Sequence, residues 1–274
     1  MTRIEVSGQP IVGVRADNPG PFTLSGTNTW IVGSEPAWVV DPGPRLDAHV
    51  DAVVDEIVRR GGLGGIALTH DHADHADAVP AIRARFARAP LAAARGAVDR
   101  RLGDGDQFGP LQVIATPGHA PDHLAFVAGS AALTGDAILG QGSVFVAPDP
   151  GALAGYLAAL GQLRRRDLSV LLPGHGPVIN DPASKIDEYI DHRLARERRL
   201  LAALDDGARS IPEMLDAAWP DVPEMMRPAA TVTLAAHLDK LEEEGRLPAG
   251  VQRPGAAARM PSEPARMPSE PRPG

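Results

Sequence analysis

The residues with the clearest chemical meaning form one short run, His70-Asp71-His72-Ala73-Asp74-His75. The run directly follows residues 65–69, an apolar stretch that we predict to be a strand. A turn at a strand end lets His70 and His72 project to one side, where neutral imidazoles bind metal. Asp74 and His75, entering a predicted helix, can then face a second metal. The run therefore predicts a metal centre.

Three later segments repeat this arrangement, each with a potential ligand in a glycine-containing turn after an apolar strand. They are Thr116-Pro117-Gly118-His119, Thr134-Gly135-Asp136 and Pro173-Gly174-His175-Gly176. Open α/β sheets gather their sites at strand ends, so these turns place their ligands where the others can meet them. One such turn is a weak signal, but four in order along the chain are a strong one.

The composition limits the chemistry of this centre. The chain has 274 residues and no cysteine, which excludes thiolate zinc ligands, iron–sulfur clusters and a cysteine nucleophile. The formal net charge is −8, and an acidic chain is poorly suited to a broad phosphate-binding surface. Imidazole-rich sites favour Zn²⁺, while the carboxylates leave Mn²⁺ and Fe²⁺ as alternatives.

The elements that must position these ligands alternate between strand and helix over residues 1–181. Strands are predicted at 28–32, 37–40, 65–69, 111–115, 124–127, 131–134 and 168–172, and helices at 46–60, 76–87 and 152–162. This alternation, with hairpin-like strand pairs, predicts a layered α/β sandwich.

From residue 182 the pattern changes to a small helical module, residues 182–247, with helices predicted at 183–204, 210–218 and 231–244. Ser210 and Glu213 have the spacing of a capping box at a helix start. Residues 248–274 are rich in proline, alanine and arginine and repeat a short motif, which predicts a disordered tail.

The N-terminal residues lack the basic start and apolar run of a secretory signal, and the apolar runs are too short to span a membrane. We therefore expect a cytoplasmic protein with no membrane contact. Nothing in the sequence indicates an oligomeric state.

The motifs resemble those of the metallo-β-lactamase superfamily, and in particular its β-lactamase-like protein 2 group. The resemblance extends to Asn18-Pro19-Gly20-Pro21, Gly26-Thr27-Asn28-Thr29, residues 137–140 after Asp136, residues 176–179 after His175, and residues 237–245. It covers residues 15–247 and implies a four-layer αββα sandwich with a small winged-helix-like C-terminal domain.

The resemblance also implies two divalent metal ions, with Zn²⁺ as the default. The implied ligands are His70, His72 and His119 for one metal, Asp74, His75 and His175 for the other, and Asp136 bridging both. A hydroxide lies between the metals in this family. Asp74 would orient it and relay a proton to the leaving group, which makes Asp74 the predicted catalytic residue.

Two further residues match family positions outside the ligand set. Asp41 would support the metal-binding loops, and His123 would be a buried hydrogen-bonding histidine rather than a ligand. Of the other histidines, we expect His49 to be exposed on its helix. His192, with its arginine neighbours Arg193 and Arg196, fits either a phosphate contact or a solvated charged face.

The centre predicts hydrolysis but leaves the substrate open, because one fold can host many chemistries. The first hypothesis is cleavage of single-stranded RNA, since some β-lactamase-like protein 2 members are described as endoribonucleases. The alternative is a thioesterase or small-ester hydrolase of the glyoxalase II type, which shares the metal motifs. A third, non-enzymatic reading has the winged helix bind nucleic acid with the metal domain as a regulatory platform. β-Lactam hydrolysis is disfavoured because there is no cysteine ligand and no export signal.

The charge of the C-terminal module bears on these hypotheses. Residues 182–247 contain nine Lys or Arg against fourteen Asp or Glu, whereas a duplex-binding winged helix should be basic. We therefore expect no binding to duplex DNA and a role in packing or in closing a pocket. The same count weakens the RNA hypothesis, although two metals and local arginines still suit a short single strand.

Overall fold

Two β-sheets lie face to face in the computed structural model, which describes residues 1–6 and 8–255. The first sheet has the order β1 (Thr2–Val6), β2 (Gln9–Arg15), β3 (Asn28–Val32), β4 (Ala37–Val40), β5 (Leu63–Ala67), β6 (Leu91–Ala93) and β7 (Arg100–Arg101). The second has the order β12 (Val170–Pro173), β11 (Ala131–Gly135), β10 (Leu124–Ala128), β9 (Leu111–Ala115) and β8 (Gln107–Phe108).

Apolar side chains from both sheets form the central core. Trp30 and Val40 of the first sheet pack with Phe126, Leu133 and Leu172 of the second, and all five are buried. Each such side chain contributes about 1.5–3 kcal/mol through burial. Because alternate strand residues point outward, each sheet also offers a second apolar face to helices.

Helices cover both outer faces. Helices α1 (Asp47–Arg59) and α3 (Val79–Arg85) pack on the first sheet, with the short α2 (Ala73–Ala76) before α3. Helix α4 (Ala152–Arg164) and the first half of α5 (Pro182–Asp205) pack on the second sheet. The predicted four-layer αββα sandwich is thus confirmed.

The strand directions bring the candidate ligands to one edge. Strands β4 and β5 run parallel, as do β11 and β12. Strand β9 runs the same way as β11, because β10 lies antiparallel between them. Hydrogen bonds join the sheets at this edge: the Asn28 amide donates to the Gly174 carbonyl at 2.7 Å and the Leu124 amide to the Thr69 carbonyl at 2.7 Å.

The C-terminal module has its own core. The second half of α5 packs with α6 (Ile211–Ala218), a 3-10 helix (Glu224–Met226) and α7 (Arg227–Glu243). The predicted capping box is present, with the Ser210 side chain and the Glu213 side chain each accepting from the other residue's backbone amide. The Gln252 amide donates to the Arg209 carbonyl at 2.8 Å, so contacts of the module continue past residue 247.

Several predicted elements match the structure and others shift. The strands at 28–32, 37–40 and 111–115 agree residue for residue. The strand predicted at 65–69 ends at Ala67, because the Thr69 amide donates to the Asp41 carboxylate instead of a neighbouring strand. The helix predicted at 76–87 begins at Val79, since the Ala78 amide is tied to the Gly43 carbonyl. Strands β1, β2, β6, β7 and β8 were not predicted.

The domain bounds 1–181, 182–247 and 248–274 stay predictions, and residues 256–274 of the predicted tail lie outside the described residues. In the part of the chain that is described, no helix combines the length and apolar content needed to cross a membrane.

Candidate metal centre

Three histidines meet on one side of the sheet edge. The Nε2 atom of His70 lies 3.0 Å from Nδ1 of His72, and Nε2 of His119 lies 3.1 Å from the same Nδ1. His70 and His72 come from the loop after β5, and His119 comes from the loop after β9. Two strand ends from different sheets thus bring three imidazole nitrogens to one point.

A second group lies beside the first. The Nε2 atoms of His75 and His175 are 3.3 Å apart, and Oδ2 of Asp74 lies 3.2 Å from the His175 nitrogen and 3.5 Å from the His75 nitrogen. Asp74 and His75 lie on α2, while His175 follows β12. This group combines two imidazoles with one carboxylate.

Asp136, which follows β11, reaches both groups. Its Oδ2 lies 3.6 Å from Nε2 of His119 and 3.4 Å from Nε2 of His175, while its Oδ1 lies 3.5 Å from Nε2 of His75. The Oδ1 atom is buried and accepts no hydrogen bond from the described residues. A buried carboxylate oxygen without a donor is costly unless a cation satisfies it.

Hydrogen bonds around Asp41 fix the tautomers of two histidines. Asp41 accepts from the Thr69 amide and hydroxyl, each at 2.8 Å, and from Nδ1 of His75 at 2.9 Å. Because the Thr69 hydroxyl donates its one proton to Asp41, it accepts from Nδ1 of His70 at 2.9 Å. Both histidines are therefore protonated on Nδ1, and their Nε2 atoms face the centre.

His123 has both ring nitrogens engaged away from the ligand groups. Its Nε2 accepts from the Asp136 amide at 3.1 Å, and its Nδ1 donates to the Thr116 hydroxyl at 2.7 Å. The ring is 1% exposed, and burial holds its pKa well below the usual range, so it stays neutral. His123 thus holds the backbone of Asp136 and has no lone pair left for a metal.

The donor set fits divalent metal ions. Imidazole nitrogens only 3.0–3.3 Å apart repel each other through their lone pairs unless a shared cation or a proton lies between them. Ligand nitrogens on one tetrahedral metal, at bond lengths of about 2.0–2.1 Å, lie roughly 3.3 Å apart. Among the described residues, three sets have ligand atoms within 4.8 Å of one another: His70 with His72 and His119, His70 with His75 and Asp136, and Asp74 with His75 and His175.

The charges of the two groups differ in the metal-free chain. Burial lowers the pKa of His119 to about 4, although Asp136 opposes this change. Burial also acts to lower the pKa values of His75 and His175, but nearby carboxylates, including Asp136 and Asp74, raise the first well above its usual range and the second to about 9. A metal in the second group must therefore displace protons.

Close packing around the ligands explains one glycine. A Cβ atom on Gly174 would lie 2.6 Å from Oδ1 of Asp136 and 2.7 Å from Cε1 of His75. Both distances are far below a van der Waals contact, so the backbone before His175 can approach the other ligands only without a side chain.

Asn18 and Thr27, a hydrogen-bonded pair before β3, were not assigned a role from the sequence. The Thr27 hydroxyl donates to Oδ2 of Asp74 at 3.2 Å and accepts from Nδ2 of Asn18 at 3.0 Å. Thr27 is fully buried. Both residues lie in motifs that carried the family resemblance, and that resemblance was the available signal.

An ion-paired arginine links two ligand loops. Arg95 follows β6 and pairs through Nε with Asp122 at 2.7 Å and through Nη2 with Asp71 at 3.2 Å. Asp71 lies between the ligands His70 and His72, and Asp122 lies between His119 and His123. The positive charge of Arg95 is thus shared by two carboxylates beside the centre.

Two predictions about other histidines are wrong. His49 is 5% exposed, because its Nε2 reaches the Pro42 carbonyl and the Thr29 hydroxyl, each at 3.0 Å, below the Asp41 turn. The segment around His192 forms neither a solvated face nor a phosphate site. Arg193 and Arg196 are 2% and 3% exposed and are bound within the protein.

Comparisons with known proteins agree with this geometry. The family model described as "Metallo-beta-lactamase superfamily" matches residues 88–175, and "Beta-lactamase associated winged helix domain" matches residues 210–248. The chain is 35% identical over 234 residues to an atrochrysone carboxyl ACP thioesterase of Aspergillus chevalieri, covering 78% of this chain and 74% of that protein. It belongs to the metallo-β-lactamase superfamily.

Other superfamily members support the same assignment over nearly the whole chain. A β-lactamase-like protein 2 homolog of Drosophila melanogaster is 31% identical over 276 residues, covering 90% of this chain and 91% of that protein. A β-lactamase domain protein from Burkholderia ambifaria has the same fold, with a TM-score of 0.71 at 22% identity and 91% coverage of each chain. The predicted superfamily, fold and hydrolase class are confirmed.

Proposed function

We propose that this superfamily hydrolase uses two metal ions to cleave thioesters. The observation that carries the two-metal proposal is the position of Asp136, whose oxygens lie within 3.4–3.6 Å of histidines from both ligand groups. The proposed ligands are those of the sequence prediction: His70, His72 and His119 in one group, Asp74, His75 and His175 in the other, and Asp136 in both. Zn²⁺ is the proposed metal because five of these seven side chains are imidazoles.

The surrounding residues define what the protein itself contributes. Bound divalent ions supply a Lewis acid that activates water and stabilises developing negative charge. The side chain of Asp74 is 21% exposed, whereas that of His75 is fully buried. Of these two neighbours, only Asp74 can be reached by substrate and water. The Thr27 hydroxyl orients the carboxylate. We propose that Asp74 accepts a proton from water and transfers it to the leaving thiolate.

The charges beside the ligand loops favour a thioester over a nucleic acid. A phosphodiester chain needs cations that are free to meet its phosphates, but Arg95 is already paired with Asp71 and Asp122. The carbonyl of a thioester carries no charge before attack. The 35% identity to a protein named as an ACP thioesterase supports the same choice.

Single-stranded RNA is the second candidate. The observation in its favour is the similarity over 91% of the Drosophila β-lactamase-like protein 2 homolog, the group to which the sequence motifs first pointed. A cytoplasmic location and the absence of duplex DNA binding stay predictions.

The decisive experiment measures thiol release from acyl-pantetheine thioesters by metal-loaded protein. The chain has no cysteine, so a thiol-reactive dye reports product without background from the enzyme. Asp136→Asn should reduce the bound metal from two ions to one or none and should abolish hydrolysis. Asp77→Asn is the matched control, because Asp77 is an exposed carboxylate three residues after Asp74, and it should keep both the metal and the activity.

Two outcomes would overturn the proposal. An unchanged load of two metals in Asp136→Asn would remove Asp136 as the shared ligand. Cleavage of an end-labelled single-stranded RNA by wild type and not by Asp74→Asn, with no thiol release from any thioester, would replace the thioester with the RNA candidate.

A further inference from the structure

We propose that Phe22 and Phe145 form an apolar wall that binds the acyl chain of the substrate. The choice of ligand rests on the proposed thioesterase function. The rings come from loops 123 positions apart in sequence and meet edge to face, with centroids 5.8 Å apart and an interplanar angle of 71°. Phe22 is 51% exposed, so one face of the aromatic pair is open to a ligand.

The loop that carries Phe22 is attached to the second ligand group. Thr27, at the end of this loop, bonds to Asp74 and pairs with His175 in an isolated β-bridge. Leu24 on the same loop lies against Gly176, the residue after His175. The apolar side chains of Phe22 and Leu24 therefore lie beside the ligand group that contains the proposed proton carrier.

The segment that carries Phe145 is attached to the first ligand group. The Ala147 amide donates to the carbonyl of Gly118, the residue before His119, at 2.7 Å. Since Phe22 and Phe145 are in contact, the two rings join the surroundings of both ligand groups. A substrate whose carbonyl lies at the centre would thus have its acyl chain within reach of this pair.

Helix α5 fixes the position of this segment. The Tyr189 hydroxyl accepts from the Leu139 amide at 2.9 Å and donates to the Gly142 carbonyl at 3.0 Å. Arg193 donates to the Ser143 hydroxyl at 2.9 Å and to the Val144 carbonyl. A wall held in this way loses little conformational entropy when a ligand binds, so its burial energy goes into affinity.

The chemistry of the wall favours an alkyl or aryl acyl chain over a nucleobase. A stacked base brings phosphates with it, and single-strand sites combine aromatic rings with a positively charged groove. The arginine that links the two ligand loops, Arg95, is already ion-paired with Asp71 and Asp122. An acyl chain needs only the apolar contact that the two rings provide.

The test measures binding of non-hydrolysable S-alkyl-pantetheine thioethers with two, six and ten carbons to the metal-loaded, full-length protein by calorimetry. For wild type we expect Kd to fall by roughly threefold to fourfold per methylene that reaches the wall. Phe22→Ala and Phe145→Ala should lose most of this increment. Val58→Ala, at an exposed apolar residue on α1 (62% exposed), should keep it. Phe145→Leu, which retains apolar bulk, covers the case in which Phe145→Ala does not fold.

Three results would overturn the wall: no dependence of Kd on chain length in wild type, equal dependence in wild type and both phenylalanine variants, or loss of hexauridylate binding in the variants without any alkyl increment. Chain-length-dependent binding without thioester hydrolysis would support the proposed acyl-binding wall and contradict the proposed thioesterase activity. The two proposals can therefore fail separately.

Discussion

At the residue scale, Asp41 shows how one side chain outside the ligand groups can organise the centre. It accepts three hydrogen bonds, which fix the Nδ1 tautomers of His70 and His75. Its backbone φ of 51° lies in the left-handed region, which is uncommon for a residue other than glycine. Residues held in such conformations by their surroundings are often found at functional sites.

Thr27 gives the first test at this scale. Thr27→Val removes the donor to Asp74 and leaves the Asn18 amide without its acceptor. A hydrogen bond to a charged group contributes about 1.5–3 kcal/mol, so we expect kcat to fall about tenfold to a hundredfold with two metals still bound. Thr27→Ser keeps the hydroxyl and should restore kcat. Equal losses in both variants would mean that Thr27 acts only through packing.

Gly174 gives a second test. In Gly174→Ala the new methyl group would press against Asp136 and His75. We expect fewer than two bound metals by elemental analysis and a loss of about 1–3 kcal/mol in the free energy of unfolding. Gly103→Ala is the control, because a Cβ there meets its nearest atom at 3.9 Å. A normal metal load in Gly174→Ala would show that the loops have more room than the structure indicates.

The sequence predicted the candidate ligands because they lie in turns directly after strands or, for Asp74 and His75, on the short helix that follows such a turn. It did not predict Phe22 or Phe145, because their pairing depends on how two distant loops fold over the same edge. His49 was misread for a related reason: its helix position looked exposed, but the Asp41 turn folds over it. Local spacing identifies ligands, while contacts between distant loops require the fold.

At the element scale, the strand ends position the candidate metal ligands, and helix α5 positions the segment before Phe145. Helix α5 belongs to both parts of the molecule, since Ile186 and Tyr189 pack on the sandwich and Leu200 and Leu204 pack in the C-terminal module. Strands β1 and β2 were not predicted from the sequence. The first is exposed and polar at Thr2, Arg3 and Glu5, and its strand conformation depends on pairing with β2.

Glu197 tests the contact between α5 and α7. Its carboxylate accepts from Lys240 at 2.9 Å and Arg246 at 3.4 Å, close to the buried ring of His237. His237 first, and then Lys240, hold the pKa of Glu197 down at about 2, although burial opposes them. The ionised form therefore stabilises the fold fully above about pH 4.5, and this stability is lost as pH falls through 2.

We expect Glu197→Gln to lower the free energy of unfolding by about 1–2 kcal/mol at neutral pH, because it removes a largely buried carboxylate from Lys240 and Arg246, which then keep only their pairs with the more exposed Glu244. The control is Glu188→Gln on the same helix, where the exposed pair with Lys185 should contribute under about 1 kcal/mol. Chemical denaturation measures both. Equal stabilities for the two variants would contradict the proposed role of Glu197.

At the scale of the whole molecule, metal binding and folding are coupled through protons. In the metal-free chain the pKa of His175 is raised to about 9, so its proton stabilises the fold below about pH 6.5 and this stability is lost as pH rises through 9. A metal in the second group replaces that proton. Rising pH should therefore weaken the metal-free protein and favour the metal-bound one.

The measurable consequence is the difference in Tm between metal-loaded and metal-stripped protein. We expect this difference to grow between pH 6.5 and pH 9, and to shrink in Asp136→Asn, which removes a carboxylate that raises the pKa of His175. A difference that does not change with pH would show that the second group binds no metal or holds no proton.

The hold of α5 on the segment before Phe145 has a consequence for how this lineage diversifies. Tyr189 and Arg193 bind backbone and hydroxyl atoms at residues 139–144, while six of the seven candidate ligands lie outside this loop and Asp136 lies at its start. Mutations that reshape this segment would therefore survive best when α5 changes with them, whereas the ligand turns could be inherited intact. Descendants with new substrates should carry paired substitutions in the two segments, which makes them the natural joint target for directed evolution.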